Sequence, residues 1–512
     1  MLRIVHLSGN FPALASTAWV SLLWLSLWSC RTNAAAVSYI YPRIDIAPIL
    51  ANQTWSPNTI ISSAGSPGFF NATERWTTFS APTYSAAISP DTEADVVKAV
   101  KLATSHKIPF LATGGRHGYT TTYGNLHDGL AIDLSHFTSI KLDKTAETIT
   151  VGPGVTVRDI FDPLYNAGFD LQTGSAPCPS LIGVSLGGGV GRYQGVYGLI
   201  TDALVSVRLV TANGDLIEVS RNSHPDLFWA IRGAGANFGI VTSATYKVHP
   251  LTDGGDVFVA EFLVSSEHIS KYFEAVESMS PLPAELASIT ILGFNSTTNK
   301  TQAQVHWAYK GREDKARAAL APLLNLNLEV TQMKVFPWNK LASATLGGIV
   351  DSVCKDNINR DLYSWNFKNY SASTYTASFK KMEKYFAKYP GGRDSILQFE
   401  FFPNQAMAAV PADETAFRWR DSTGYINFNM LFDAGDNVTE SASIALGLEL
   451  RNDFIATSGY PELTVFVNYA HGDEKLEQIY GKDKLPRLAA LKKTWDPNHA
   501  FSYNNGLPTH YP

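Results

Sequence analysis

Residues 109–119 read P-F-L-A-T-G-G-R-H-G-Y, a short apolar run that breaks into a glycine turn carrying one histidine. The run predicts a strand whose end presents an imidazole. Gly114, Gly115 and Gly118 let the backbone turn tightly and approach a bulky ligand, and their N–H groups are suited to holding phosphate. By itself the stretch reads more readily as an ordinary turn, because lone histidines are usually structural or exposed. What surrounds it decides.

Upstream, S-P-D-T-E-A-D-V-V-K-A-V-K-L-A from Ser89 predicts a helix. Pro90 suits its first turn, Asp91, Glu93 and Asp95 complement the N-terminal dipole, and Val96, Val97, Val100 and Ala103 make one apolar face. Downstream, strands are expected at 130–134 and 148–152, followed by a helical pattern at Val157, Ile160, Phe161 and Leu164 that Pro163 should kink or split. Residues 174–199, G-S-A-P-C-P-S-L-I-G-V-S-L-G-G-G-V-G-R-Y-Q-G-V-Y-G-L, are too rich in glycine for a regular element and suit close backbone approach. Two strands at 204–211 and 216–220 joined through Asn213-Gly214 read as a hairpin. A helical turn at 226–231 and a strand ending near Val248 complete one α+β unit by about Pro250.

From 253 to 465, strands at 256–263, 303–309, 396–401 and 425–432 alternate with helices at 313–320 and 374–389. An antiparallel sheet backed by helices is the economical arrangement. The tail, T-V-F-V-N-Y-A-H-G-D-E from Thr464, predicts one more strand, and a closing helix should give way at Asp496-Pro497. The expected organisation is therefore a signal segment at 1–36, an irregular lead-in at 37–77, a first domain at 78–252, a second at 253–465 and a returning segment at 466–512.

At 512 residues, 45% hydrophobic and 17% charged, the chain can bury a large core. A net charge of −5 without any basic run argues against nucleic acid as a partner, and a monomer is expected. Arg3, the apolar run from Ala18 to Trp28 and then Ala34 to Ala36 have signal-peptide anatomy, so a secreted protein without a membrane anchor is predicted. Six sequons, at Asn52, Asn71, Asn295, Asn299, Asn369 and Asn437, fit that route as glycosylation sites. Cys30 would leave with the signal, and Cys178 and Cys354 permit one disulfide. His471, Asp473 and Glu474 lack a metal-ligand pattern and read as a solvated loop, and no other metal site is expected. No Walker sequence or Rossmann fingerprint occurs.

The ordered motifs T-G-G-R-H-G-Y at 113–119, I-D-L-S at 132–135, V-G-P-G-V at 151–155, G-G-G-V-G-R-Y-Q-G-V-Y-G-L at 187–199, N-G-D at 213–215, P-D-L-F-W-A-I-R-G-A-G-A-N-F-G-I-V at 225–241, V-N-Y at 467–469 and W-D-P-N at 495–498 resemble the vanillyl-alcohol oxidase superfamily. Within it the chain looks like the berberine bridge enzyme-like oxidoreductases, the fungal secreted members above all, over residues 78–508. The resemblance implies an α+β fold: a two-subdomain FAD-binding domain of the p-cresol methylhydroxylase type, plus an antiparallel substrate sheet backed by helices.

It further implies that His117 bonds to the 8α-methyl carbon of FAD and that backbone groups of Gly114, Gly115, Arg116 and Gly118 hold the pyrophosphate. Gly183, Gly187, Gly239, Ile240 and Val241 would line the cofactor, and Asn504 with Asn505 would close over it. Arg116 departs from the family, which more often has glycine there, and could meet a phosphate. The family's second flavin link is a cysteine; registration on Gly187 to Gly189 puts Ala176 at its position and Cys178 two residues late, which disfavours a second bond. Tyr469 matches the family's tyrosine base, which needs positive charge nearby to ionise. Tyr119 matches a second active-site tyrosine. Phe428 falls at or near the carboxylate of the plant enzymes, which disfavours berberine-type cyclisation. The implied activity is oxidation of a small alcohol, amine or sugar hydroxyl in secondary metabolism, with O2 as acceptor. A dehydrogenase with another acceptor, a carbohydrate oxidase and a non-catalytic binding protein are the alternatives.

Overall fold

The computed structural model describes residues 45–348 and 354–512, so the signal segment, Cys30 and the first part of the lead-in lie outside the described residues. Among the described residues no helix is long and apolar enough to cross a membrane.

The strand predicted from the opening stretch is Phe110–Thr113. It is the edge of a four-stranded sheet ordered Ile60–Ser63, Tyr84–Ser89, Gly129–Asp133, Phe110–Thr113, in which the last three run parallel. An edge position lets the glycine turn leave the sheet without stranding ladder partners. The helix that feeds this strand is Glu93–Ser105, and it starts later than expected: Thr92 is the N-cap, its hydroxyl accepting from Asp95 N, so Pro90 and Asp91 lie outside. A side-chain cap fixes the boundary more strongly than the proline preference does. Val96, Ala99, Val100 and Ala103 bury the helix against this sheet.

The second sheet has five antiparallel strands in the order Ile140–Asp143, Thr148–Val151, Ile240–Lys247, Leu204–Val210, Leu216–Ser220. Its last two form the expected hairpin, with Gly214 at φ +75°. The segment around Pro163 does split, into a 3-10 turn Arg158–Ile160 and a helix Phe161–Ala167 whose first turn carries the proline. The lead-in is less irregular than its composition suggests, since it contains the helices Ile46–Ala51 and Pro67–Thr73 and the strand Ile60–Ser63. Ile46 and Leu50 are buried in the core of the first sheet, which accounts for that order.

A seven-stranded antiparallel sheet follows, ordered Glu329–Pro337, Asp256–Val264, Lys300–Lys310, Leu286–Asn295, Ile396–Phe401, Gly424–Leu431, Arg360–Phe367. One face packs on the helices Ile269–Ser278, Ala372–Lys388 and Asn437–Ile455 through Phe399, Phe401, Phe428, Trp307 and Trp365. The opposite face carries polar side chains at alternate positions and looks into a cavity.

The tail departs from expectation. Instead of a strand, 467–469 form the 3-10 turn Val467–Tyr469. Next to this turn the chain is tied to the sheet edge at Asn366, which donates to Thr464 O and accepts from Phe466 N, and the Asn468 side chain turns away to donate to Val184 O. With its amide groups drawn to two different elements, the segment cannot form a ladder. The closing helix Leu485–Trp495 ends one residue before Asp496, as expected.

Candidate active site

The glycine turn opens on one end of a cavity of about 420 Å³. Gly114, Gly115, Arg116, His117, Gly118, Gly183, Gly187, Gly239, Ile240, Val241 and Asn504 all line it, together with Tyr119 and Tyr469. Among the described residues, no N–H from Gly114 to Gly118 donates to a backbone acceptor, so the turn presents a run of free donors to the cavity. Glycine is required here by close packing as well: a Cβ at Gly114 would stand 2.1 Å from Pro153 O, and one at Gly187 2.0 Å from Asn468 Oδ1. A long cleft with free amides at one end and an imidazole in its wall fits FAD.

Arg116 takes a left-handed φ of +55°, which is why glycine suits this position. Its side chain is not held free for phosphate: Nη1 donates to Asn71 O at 2.5 Å and lies 3.5 Å from Asp133 Oδ1. Arg116 therefore offers the cavity its backbone.

His117 stacks on Trp76 at 5.1 Å. Burial, aided by the positive charges of Arg360 and Arg75, lowers its pKa to about 3, so the imidazole is neutral at physiological pH and able to act as a nucleophile. Cys178 is ruled out as a second attachment point, because it forms a disulfide with Cys354. Asn504 donates to the Tyr123 hydroxyl at 3.0 Å, whereas Asn505 is buried beneath the wall and accepts from Thr120 Oγ1.

At the far end, cross-strand pairing aligns Glu261, His306, Ile289, Glu400 and Tyr425 in one row on the cavity face of the large sheet. Gln304, Ile291, Gln398, Asn427 and Ser364 form the next row. Phe428 belongs to the opposite face and is fully buried among the helices, so the positions of its strand that look into the cavity are Asn427 and Asn429. The carboxylate of the site is on the neighbouring strand. Glu400 Oε2 accepts from the Tyr469 hydroxyl at 3.1 Å, and its Oε1 accepts from Gln398 Nε2 at 2.9 Å. Burial raises the Glu400 pKa to about 7, opposed by the Tyr469 hydrogen bond and the charge of Arg192.

Burial and Glu400 push Tyr469 well above the ordinary tyrosine range, so it is a neutral phenol and not the phenolate that a tyrosine base requires. Both groups line the cavity, and the carboxyl holds a pKa suited to accepting a proton near neutrality. Tyr119 also lines the cavity, its hydroxyl buried close to Ser364.

Glu400, Gln398, Asn427, Asn429 and Arg192 were not singled out from the sequence. A signal was present in I-L-Q-F-E-F at 396–401, where polar residues recur with period two inside an aromatic strand. His471 is likewise not in a solvated loop. It is 8% exposed, with Nε2 3.0 Å from Asp361 Oδ1 and Nδ1 3.2 Å from Asp473 Oδ1.

Residues 84–220 match the protein family described as FAD binding domain, and residues 465–508 the family described as berberine and berberine like. The FAD-linked oxidoreductase srdI of Neurospora crassa is 47% identical, over 91% of this chain and 92% of that protein. The FAD-linked oxidoreductase fogF of Aspergillus ruber is 44% identical, over 90% and 93%. Among solved structures, a variant of Physcomitrella patens BBE-like 1 superposes with a TM-score of 0.79 at 23% identity, covering 92% of this chain and 100% of that one. A chitooligosaccharide oxidase superposes with a TM-score of 0.76 at 23% identity, covering 88% and 97%. At such identities the likeness is one of fold.

Proposed function

The chain belongs to the berberine bridge enzyme-like FAD-linked oxidoreductases, and from that premise we propose that it oxidises a small, largely apolar alcohol to the carbonyl compound and passes the electrons to O2. The observation that carries the reading is the Tyr469–Glu400 pair at 3.1 Å in the wall of the cavity that also contains His117. FAD, when bound, supplies the hydride acceptor, and its reoxidation by O2 gives H2O2.

The substrate hydroxyl gives its proton to Tyr469 Oη as hydride leaves the carbon, and Tyr469 passes its own proton to Glu400 Oε2. Tyr119, close to the same pair in the cavity wall, orients the substrate. Ile289, Ile291, Ile396, Leu346 and Leu362 supply an apolar lining that excludes water and favours an apolar substrate. The amides of Gln398, Asn427 and Asn429 favour the alternative, a sugar substrate, as does the structural likeness to a chitooligosaccharide oxidase.

We further propose that His117 holds the flavin covalently and alone. Export through the secretory pathway is supported by the Cys178–Cys354 disulfide and by sequon acceptors that are exposed or half-buried. The fungal relatives support a setting in fungal secondary metabolism. The test is oxygen consumption and peroxide formation by the purified yellow protein with aromatic and aliphatic alcohols and with chito-oligosaccharides. Turnover of an alcohol with one H2O2 per O2 is expected. Flavin that is reduced by the alcohol and stays reduced in air would sink the oxidase assignment, and turnover of oligosaccharides alone would replace the substrate class.

A further inference from the structure

Arg192 is buried where the main cavity meets a small annex of about 20 Å³ lined by Thr173, Gly174, Ser175, Trp338 and Leu341. Among the described residues its Nε and Nη2 have no hydrogen-bond partner. The two carboxylates whose charges reach it are engaged elsewhere. Glu400 is held by Tyr469 and Gln398, and Glu261 Oε1 accepts from both His306 Nδ1 at 2.9 Å and Leu346 N.

A buried guanidinium without a partner is costly, and a protein keeps one only where something else completes it. The donors around it share the deficit: among the described residues Ser175 Oγ and Trp338 Nε1 in the annex wall are unpartnered, and so is Gln172 Nε2, whose Oε1 accepts from Tyr193 N at 3.0 Å. Guanidinium, indole and amide N–H groups cannot accept, so an acceptor must satisfy them, and the uncompensated charge of the guanidinium favours an oxyanion over a neutral oxygen. The annex has room for roughly one oxygen atom. Arg192 also lines the cavity that contains Glu400 and Tyr469, so that oxygen can belong to a molecule lying in the main cavity.

We propose that Arg192 is the specificity-determining residue of the site and that the substrate is an alcohol carrying an anionic oxygen, which Arg192 takes while Tyr469 meets the hydroxyl. This inference rests on the alcohol-oxidising reading but is tested without turnover. The flavin-loaded protein is titrated with benzoate, with its neutral analogue benzamide and with chloride, followed by calorimetry and by the change in flavin absorbance.

Benzoate should bind at least about tenfold more tightly than benzamide. Arg192→Met should remove that preference at unchanged flavin content, and Arg192→Lys should retain part of it. Equal affinity for benzoate and benzamide in the unmodified protein overturns the proposal whatever the variants do. So does a preference that survives in Arg192→Met, and so does chloride that binds at Arg192 without competing with benzoate, which would make the annex an inorganic ion site. Because benzoate is not oxidised, a protein that binds it through Arg192 yet oxidises no alcohol refutes the functional reading alone.

Discussion

Glu400 is the residue on which the chemistry and the stability of the site pull in opposite directions. Its carboxyl has a raised pKa in the fold, so the fold favours its protonated form; the stability this gives is present below the unfolded value and lost as pH rises through about 7. Glu400→Gln, which imitates the protonated state, should therefore raise Tm at pH 8, corresponding to roughly 2–3 kcal/mol, with a much smaller effect at pH 5. The same variant should reduce the rate of flavin reduction by about 10²-fold or more and abolish the rise in rate through pH 7. A variant that gains stability at pH 8 but keeps its rate would leave the carboxyl a buried defect with no catalytic part. That His117, Tyr119 and Tyr469 share one cavity was legible in the sequence, because short glycine-rich and V-N-Y motifs mark them. Glu400 was not, since its role depends on which face of its strand looks inward, and Phe428 was misjudged for the same reason. A one-residue difference in position reverses the face.

At the scale of elements, turn chemistry was readable and tertiary ties were not. Asn213-Gly214 and Pro163 acted locally and fell where expected. The strand expected at the tail was lost to two long-range partners, Asn366 and Val184, that no local pattern encodes. The disulfide is a tie of the same kind: it joins the cavity segment at Cys178 to Cys354, 176 residues away. Replacing both cysteines with serine should destabilise the chain by about 2–5 kcal/mol and lower Tm in a thermal melt. It should leave the flavin attached, because Cys178 is not its anchor. Loss of attached flavin at unchanged Tm would contradict both expectations.

Across the whole molecule, the turn after Tyr119, the tail and the edge strand of the large sheet meet at His471. Its carbonyl accepts from Thr121 N, its ring bridges Asp361 and Asp473, and Asp473 is paired with Arg451 at 2.7 Å. Burial disfavours the charged ring, but Asp361 and Asp473 outweigh it and raise the pKa to about 9. The stability from this clasp is present in full below the ordinary histidine pKa and is lost as pH rises through about 9. His471→Asn should thus lower Tm at pH 6, by an amount equivalent to roughly 1–3 kcal/mol, with the gap closing by pH 10. A gap that is constant with pH would mean that the ring contributes packing and not charge. The general architecture was legible because glycine motifs and alternating strands recur in order over most of the chain. The clasp was not, since H-G-D-E carries no information about Asp361, more than a hundred residues earlier.

The most direct test of the central claim is the fate of the flavin when the purified protein is denatured in acid and digested with trypsin. The account predicts that the yellow chromophore stays with the chain and that the peptide 117–141, which begins at His117, carries the added mass of FAD. Flavin released into the supernatant, with peptide 117–141 at its unmodified mass, would contradict it.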